Sequence, residues 1–469
     1  MTYMLRSWIF LLTILLSCVL TQAQAQQKTL SLKEAVQTAL SNYPALKAKA
    51  NYAKASKVAL EGAYREHLPD LNLSLQQDYG SINGQSGPLY GFRGLSVASG
   101  GPAMESQNWT SAFGALYLAN INWDFYSFGR VRERVRIARS ALTRDELDLE
   151  QEKFQHQVRV ATAYLNLLAA QRITRSQQNN LERAAALQTV VIARTKGGLN
   201  AGVDSSLANA EVSAARIALI RSRDVEQEQA NELAQLMGVV VQDFQLDSFF
   251  VSRIPAQLTD TAKVDQQSHP LLRFFQSRVA VSNGQVKYLR TFNYPTFSLF
   301  SIIQGRGSGF KYNYSALYPQ AYSGKYLQGV QPQRANYLVG AGLIWNLSSS
   351  LRNQQQVSAQ NFTSQALQND YELADQQLQN QLLLAQSKIK NSLASYEEAP
   401  KQVKAAQDAY IQKSVLYKNG LTDVVDATQA LYAVNRAETD RDIAYTNVWQ
   451  ALLLKAAASG DFGLFINEF

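Results

Sequence analysis

The chain has little of what most active sites are built from. It holds one cysteine, Cys18, and three histidines, His67, His156 and His269, in 469 residues. If Cys18 leaves with a cleaved leader, the mature chain has no disulfide and no thiolate metal site. No histidines pair at metal-ligand spacing, and no H-E-x-x-H run occurs. Gly84-Gln-Ser86-Gly87 stops short of a nucleophile elbow, because Pro88 stands where a glycine is needed. Gly305-Arg-Gly307-Ser-Gly309 has no helix behind it to receive a phosphate. These absences argue against an enzyme and leave no cofactor or metal to place. The net charge of +8 is spread along the chain rather than gathered into the dense basic patch that nucleic-acid binding needs. Past the N-terminus no apolar run reaches the ~18 residues of a membrane helix. Any membrane crossing is therefore by β-strands.

The N-terminus reads as an export signal over residues 1–25. Arg6 supplies the positive start, Phe10 to Leu20 the apolar stretch, and Ala23-Gln24-Ala25 a small-x-small cleavage site. Leu15-Leu16-Ser17-Cys18 also resembles a lipobox, which would leave Cys18 as an acylated N-terminus. Mass spectrometry of the mature N-terminus separates the two.

What is present is a duplication. Pro44 and Pro69 recur as Pro270 and Pro295, and Leu46 and Leu73 as Leu272 and Leu299, at an offset of 226. Trp123 and Arg130 recur as Trp345 and Arg352, at an offset of 222. Lys196-Gly-Gly198-Leu199 matches Lys418-Asn-Gly420-Leu421, Asp204 matches Asp426, and Gly238 matches Gly460, again at 222. Residues 26–238 form a first structural repeat and residues 266–469 a second, joined by a linker over 239–265.

Each repeat reads alike. A helix over 31–66, or about 264–291, stops at Pro69 or Pro295. A short alternating strand follows, Leu71 to Leu75 or Phe297 to Leu299. Next come long loops, 78–112 and 305–335, the first with seven glycines between Asp78 and Ser111. Tyr90, Phe92, Tyr312, Tyr314 and Tyr318 stand in these loops, which otherwise read as variable surface. Second strands run Phe113 to Trp123 and Tyr337 to Leu347, with apolar residues at alternate positions and no charge in their cores.

After each tryptophan the period changes. Leu147, Phe154, Val158, Ala161, Leu165 and Leu168 are spaced 7, 4, 3, 4, 3. Leu378, Leu382, Ala385, Ile389, Ser392 and Tyr396 keep a 4,3 rhythm. Both are coiled-coil patterns. A helix from Arg130 to Lys196 would be ~100 Å long at 1.5 Å per residue. Gly198 and Gly420 end the long helices, and a return helix follows each. Pro400 predicts a kink or split in the second. Asp204 and Asp426 are read as N-caps of the return helices, and the second reversal as the tighter one.

Four strands cannot stand alone in hydrocarbon, because open edges leave backbone groups unpaired. The smallest membrane barrels have eight strands. Several chains must therefore each donate strands.

At this point the residues resemble the TolC family of outer-membrane efflux proteins. The resemblance rests on Leu32-Lys-Glu34-Ala35…Ala39-Leu40-Ser-Asn42-Tyr-Pro44 and on Leu68-Pro69 before the first strand. It rests also on Trp123-Asp-Phe125…Phe128-Gly129-Arg130 at the strand-to-helix junction and on Asp423-Val-Val-Asp426-Ala-Thr-Gln-Ala-Leu-Tyr432 at the return helix. It implies a mainly α chain with a membrane β-barrel part: a TolC-like homotrimer with a 12-stranded shared β-barrel, four strands per chain, above a long periplasmic α-helical coiled-coil barrel. Such a protein sits in outer-membrane lipid and extends into the periplasm. It is the passive exit duct of a tripartite efflux or type I secretion system. A periplasmic adaptor (a membrane fusion protein) docks on its helical tips, and an inner-membrane transporter of RND or ABC type supplies energy.

By the same resemblance Gly198, Leu199, Gly420 and Leu421 touch the adaptor. Aspartates near the second tip ring the closed aperture, and the family pattern carries to Asp426 by glycine spacing or to Asp423 by the Asp-Val-x-Asp-Ala-Thr run. Trp123, Arg130, Trp345 and Arg352 mark the strand-helix junctions. Two other classes compete: a non-pore periplasmic coiled-coil structural protein, and a surface receptor or adhesin using the long loops. Charge-free strand pairs argue against the first, and loop deletion that abolishes binding but not export would favour the second.

Overall fold

The computed structural model describes residues 29–84, 103–247, 249–255 and 266–468. The expected signal segment with Cys18, the loop residues Tyr90 and Phe92, and Phe469 lie outside them. In chain order the main elements are α1 (Leu32–Asn42), α2 (Pro44–Arg65), β1 (Asp70–Ser81), β2 (Ser111–Tyr126), α3 (Arg130–Lys196) and α4 (Gly202–Met237). Then follow α5 (Pro270–Arg290), β3 (Thr296–Ser308), β4 (Arg334–Ile344), α6 (Ser349–Lys418) and α7 (Val424–Ser459). The helix expected over 31–66 is two, because Tyr43 is extended (ψ 119°) ahead of Pro44. A residue before proline is pushed out of the helical region. The helix expected from about 264 starts at Pro270, a residue suited to the first turn.

The chain divides into two compact units, and each draws on both repeats. The first comprises residues 1–54, 143–278 and 366–469. Its main core gathers one face of α1 (Leu32, Ala35, Val36, Ala39), the middle of α3 (Val160, Tyr164, Leu165, Leu167), the end of α4 (Leu233, Met237) and α7 around Trp449 and Leu452. Polar groups there are tied to backbone. The Tyr164 hydroxyl donates to the Leu30 carbonyl (2.8 Å) and accepts from the Asp247 amide (3.1 Å). The Trp449 indole donates to Arg253 (3.2 Å). Around residues 160–170 α3 is buried on most of its circumference, far more than a coiled-coil seam. In α6 burial is confined to a narrow stripe, which includes Leu378, Ala385 and Ile389 of the 4,3 pattern. Pro400 does not split α6, which runs unbroken for 70 residues. Pro400 is exposed, so water can reach the carbonyl its missing N–H frees.

The second unit comprises residues 55–142 and 279–365. It holds one antiparallel sheet in the order β1-β2-β3-β4. The strands are 12, 16, 13 and 11 residues long, and β1 and β3 extend well beyond the short runs their apolar residues suggested. Register assigns every side chain to a face. Leu75–Tyr117–Gly305 and Leu73–Ala119–Ile303–Tyr337 are rows of one face. Ser74–Leu118–Gln304–Asn336 and Gln76–Leu116–Arg306–Arg334 are rows of the other. The first face is almost wholly apolar and open: Leu73 is 79% exposed and Tyr337 82%. The second carries Asn72, Gln76, Asp78, Asn120, Asn122 and Gln304. At one end of the apolar face a short helix, Tyr326–Val330, packs against Phe113 and Tyr117. The approach is so close that a Cβ on Gly329 would meet the Phe113 backbone. The loop after β3 is thus ordered in part. Tyr314 is buried against Phe310 and accepts from Asn108 (3.0 Å), whereas Tyr312 is 95% exposed.

Candidate functional site

Two places in the chain repay close reading, and each lies within one unit. The first, in the sheet-bearing unit, is where strands become helices. Trp123 lies within β2, three residues before its end and beside a register shift. Trp345 directly follows β4. The indole N–H of Trp123 donates to the His67 carbonyl (2.7 Å), and that of Trp345 to the Asn293 carbonyl (3.2 Å). His67 and Asn293 each follow the helix before the first strand of their repeat. One donor thus ties strand end to helix end in both repeats. The turn into α3 is tight: Phe128 (φ +48°) and Gly129 (φ +85°) are both left-handed. A phenylalanine there is strained, and its ring is held against Tyr294, centroids 5.3 Å apart. Arg130 lies over the Phe292 ring at 4.5 Å. Arg352 is exposed and makes no ion pair among the described residues, so the junctions differ at this position. The next residue, Asn353, makes the link to the preceding helix end, donating to the Leu289 carbonyl (2.7 Å) and to Asn293 (2.8 Å).

The second place, in the other unit, is the pair of helix reversals. Gly198 (φ +70°) and Gly420 (φ +75°) take the left-handed conformation that favours glycine. At both, the next amide reaches back five residues, Leu199 to Arg194 and Leu421 to Leu416, each at 2.9 Å. This is the Schellman closure of a helix C-terminus. Leu199 and Leu421 are left 71% and 72% exposed. A covered turn would bury them, so covering the turn is not their role.

The capping expectation is corrected. The N-cap of α4 is Ala201, without a side-chain bond, and the N-cap of α7 is Asp423, whose carboxylate accepts from the Asp426 amide (2.8 Å). Asp204 and Asp426 stand three residues later, inside the first turn, where a carboxylate still favours the helix dipole. The second reversal is not tighter: three positions separate each glycine from its cap. What differs is the side chain at the cap.

Asp426 is also not free to face an aperture as a bare charge. It takes Lys413 Nζ at 2.5 Å and Thr422 Oγ1 at 2.6 Å. These hydrogen bonds, the one from Lys413 first, hold its carboxyl below the usual range. Asp423 has no cationic partner among the described residues.

Sequence reasoning missed the residue that ties the reversals together. Arg194 donates to Asn200 Oδ1 (2.8 Å) and to the Lys418 carbonyl (2.9 Å), and its guanidinium lies 5.4 Å from the Tyr417 ring centre. Asn200 in turn donates to Asp204 (2.7 Å) and Tyr417 (3.2 Å). Tyr417 is fully buried, and burial pushes its hydroxyl pKa up. In sequence Arg194 looks like an ordinary cation in a last helical turn. Its repeat counterpart is Leu416, so the duplication hides it too. Farther along the helices Arg183 forks onto Glu438 (3.2 and 2.8 Å), and Tyr432 donates to Glu211, a bond that pushes the Tyr432 pKa up to about 12.

This combination, a sheet with one open apolar face continuous with two helices of 67 and 70 residues, defines a class of protein. Residues 35–239 match the family model described as outer membrane efflux protein. Solved structures give the same fold over most of the chain. The CmeC outer membrane channel of Campylobacter jejuni aligns at 15% identity and TM-score 0.73, covering 92% of this chain and 85% of that one. VceC of Vibrio cholerae, an outer membrane protein, aligns at 16% and 0.72, covering 92% and 96%. The outer-membrane channel OprN aligns at 17% and 0.72, covering 92% and 90%. No curated protein sequence matches the chain. The family match covers residues 35–239, somewhat less than half of the chain, and the solved channels share its fold.

Proposed function

We propose that the protein is the passive outer-membrane exit duct of a tripartite efflux system. The observation that carries this is the four-stranded sheet. Both edge strands, β1 and β4, have a side unpaired among the described residues, and one face is apolar and open. Backbone left unpaired in hydrocarbon costs several kcal/mol per group, so the edges must be closed by further strands. Three copies supply twelve strands and close a barrel, with β4 of one copy beside β1 of the next. The two repeats, 26–238 and 266–469, then serve one purpose: each supplies two strands to the barrel and one helical hairpin.

The hairpin ends at Gly198-Leu199 and Gly420-Leu421 are the docking points for a periplasmic adaptor. Exposed leucines supported by a rigid Schellman turn suit an apolar contact. An inner-membrane transporter of RND or ABC type drives substrate toward the adaptor, and the duct does no chemistry. Asp423 is the better candidate for an aperture ring, since Asp426 is neutralised within its own chain. Trp123 and Trp345 lie at the membrane boundary. Replacing Leu421 with Asp is expected to reduce efflux and adaptor capture while trimer levels hold. Unchanged efflux and capture would remove the tip assignment.

A further inference from the structure

The polar face of the sheet is not electrically neutral. No aspartate or glutamate occurs between Asp265 and Asp370, a stretch that holds both β3 and β4. Within it Arg306 and Arg334 stand directly opposite each other on neighbouring strands. Their Cβ atoms are about 5 Å apart by strand-pair geometry. Like charges so placed are unfavourable, yet both side chains are exposed and neither has an ion-pair or side-chain hydrogen-bond partner among the described residues. Lys311 and Lys325, also exposed, sit just beyond this end of the hairpin.

Register places the two arginines on the polar face, in the row Gln76–Leu116–Arg306–Arg334. In a membrane barrel the apolar face meets lipid and the polar face lines the lumen. The carboxylate near them on that face is Asp78, two strands away from Arg306, and Gln76 donates to it (2.9 Å).

We infer that Arg306 and Arg334 form an anion-binding collar inside the barrel, at the end where the β3–β4 hairpin closes. This rests on the duct reading above. Three copies place six guanidinium groups against three Asp78 carboxylates, a surplus of positive charge in a confined lumen. Rings of this kind select anions in other pores. The ligand class is multivalent solute anions carrying phosphate or carboxylate groups, which two adjacent guanidinium forks recognise by paired hydrogen bonds. A lipid phosphate shares this chemistry, but the arginines lie on the face away from lipid.

The test uses the full-length protein in planar bilayers of zwitterionic lipid, with tripolyphosphate as the probe, added to each side in turn. The wild type should prefer chloride over potassium by about twofold or more, as charged collars do. Tripolyphosphate should block it from the strand side. The double variant Arg306→Gln/Arg334→Gln removes the collar's six guanidinium charges, so its preference for chloride should fall to about that of a neutral pore. Block should then need at least about tenfold more probe, since the guanidinium forks are gone. Pores that conduct with unchanged selectivity and unchanged block would overturn the collar while leaving the duct intact. An anionic lipid carried through purification by the wild type and lost from the double variant, with conduction unaltered, would put the arginines on the lipid side and also overturn it. Absence of any pore from membrane-inserted protein would instead overturn the duct reading itself.

Discussion

Replacing Arg194 with alanine removes one side chain and three contacts, one within the first reversal and two that cross to the second. Two are charge-assisted hydrogen bonds, to Asn200 Oδ1 and the Lys418 carbonyl, and one is a cation–π contact with Tyr417. Hydrogen bonds to a charged group contribute about 1.5–3 kcal/mol each, and an exposed cation–π contact about 0.5–1 kcal/mol. The side chain is only half-buried, and water replaces part of what is lost. A net cost of about 2 kcal/mol remains, equivalent to a ~30-fold rise in the opened fraction of the tip. Hydrogen exchange reads this directly. The amides of Leu199, Gly420 and Leu421 are bonded within the two reversals, and their exchange should speed up by about that factor. Amides near Trp449, in the main core, should not change. Arg194→Lys keeps the charge but loses the planar fork, so it should recover only part of the protection. Unaltered exchange at the three amides in Arg194→Ala would refute the claim that this residue ties the reversals.

Three further outcomes are expected. Arg183→Ala leaves the buried Glu438 carboxylate without its bidentate partner, which should cost about 3 kcal/mol; a double variant that also carries Glu438→Gln should regain much of the thermal stability. Asp423→Ala should cost about 1 kcal/mol as a lost N-cap and should also change block of the pore by multivalent cations, whereas Asp426→Asn should change block little because Lys413 already neutralises that charge. Acid should weaken the fold through His156 and His269, whose pKa values burial lowers from the ordinary 6.5. The unfolded chain takes up protons first, so stability is fully present above pH 6.5 and declines as pH falls from there toward the lowered folded values. Denaturant midpoints between pH 7.5 and 5 should drop, and less steeply in His269→Asn.

Much of this architecture was legible because periodicity is physical. The switch from alternation at Phe113–Trp123 to the 4,3 rhythm after Arg130 marks a real change from β2 to α3. The glycines at 198 and 420 mark real reversals, because few other residues tolerate that backbone. Strand ends were less legible. β3 continues through Gln304, Gly305, Arg306 and Gly307, none of which reads as a strand former, because pairing with β2 and β4 holds them in place. The caps were misplaced because glycine spacing alone does not say which side chain reaches the free amides; Asp423 does so from one turn before Asp426. Arg194 was invisible because its partners, Asn200 and Lys418, lie on either side of 217 residues of sequence that only the fold brings together. The Asn353 bonds between α5 and α6 were hidden for the same reason.

The central claim is that this sheet is one third of a closed membrane barrel. Native mass spectrometry of the protein extracted by detergent from carbonate-washed membranes tests it most directly. The account predicts that the protein stays with the membrane through the wash and flies as three copies of the mature chain. A washed-off protein, or a membrane-bound one whose mass is a single chain or any other number of copies, would contradict it.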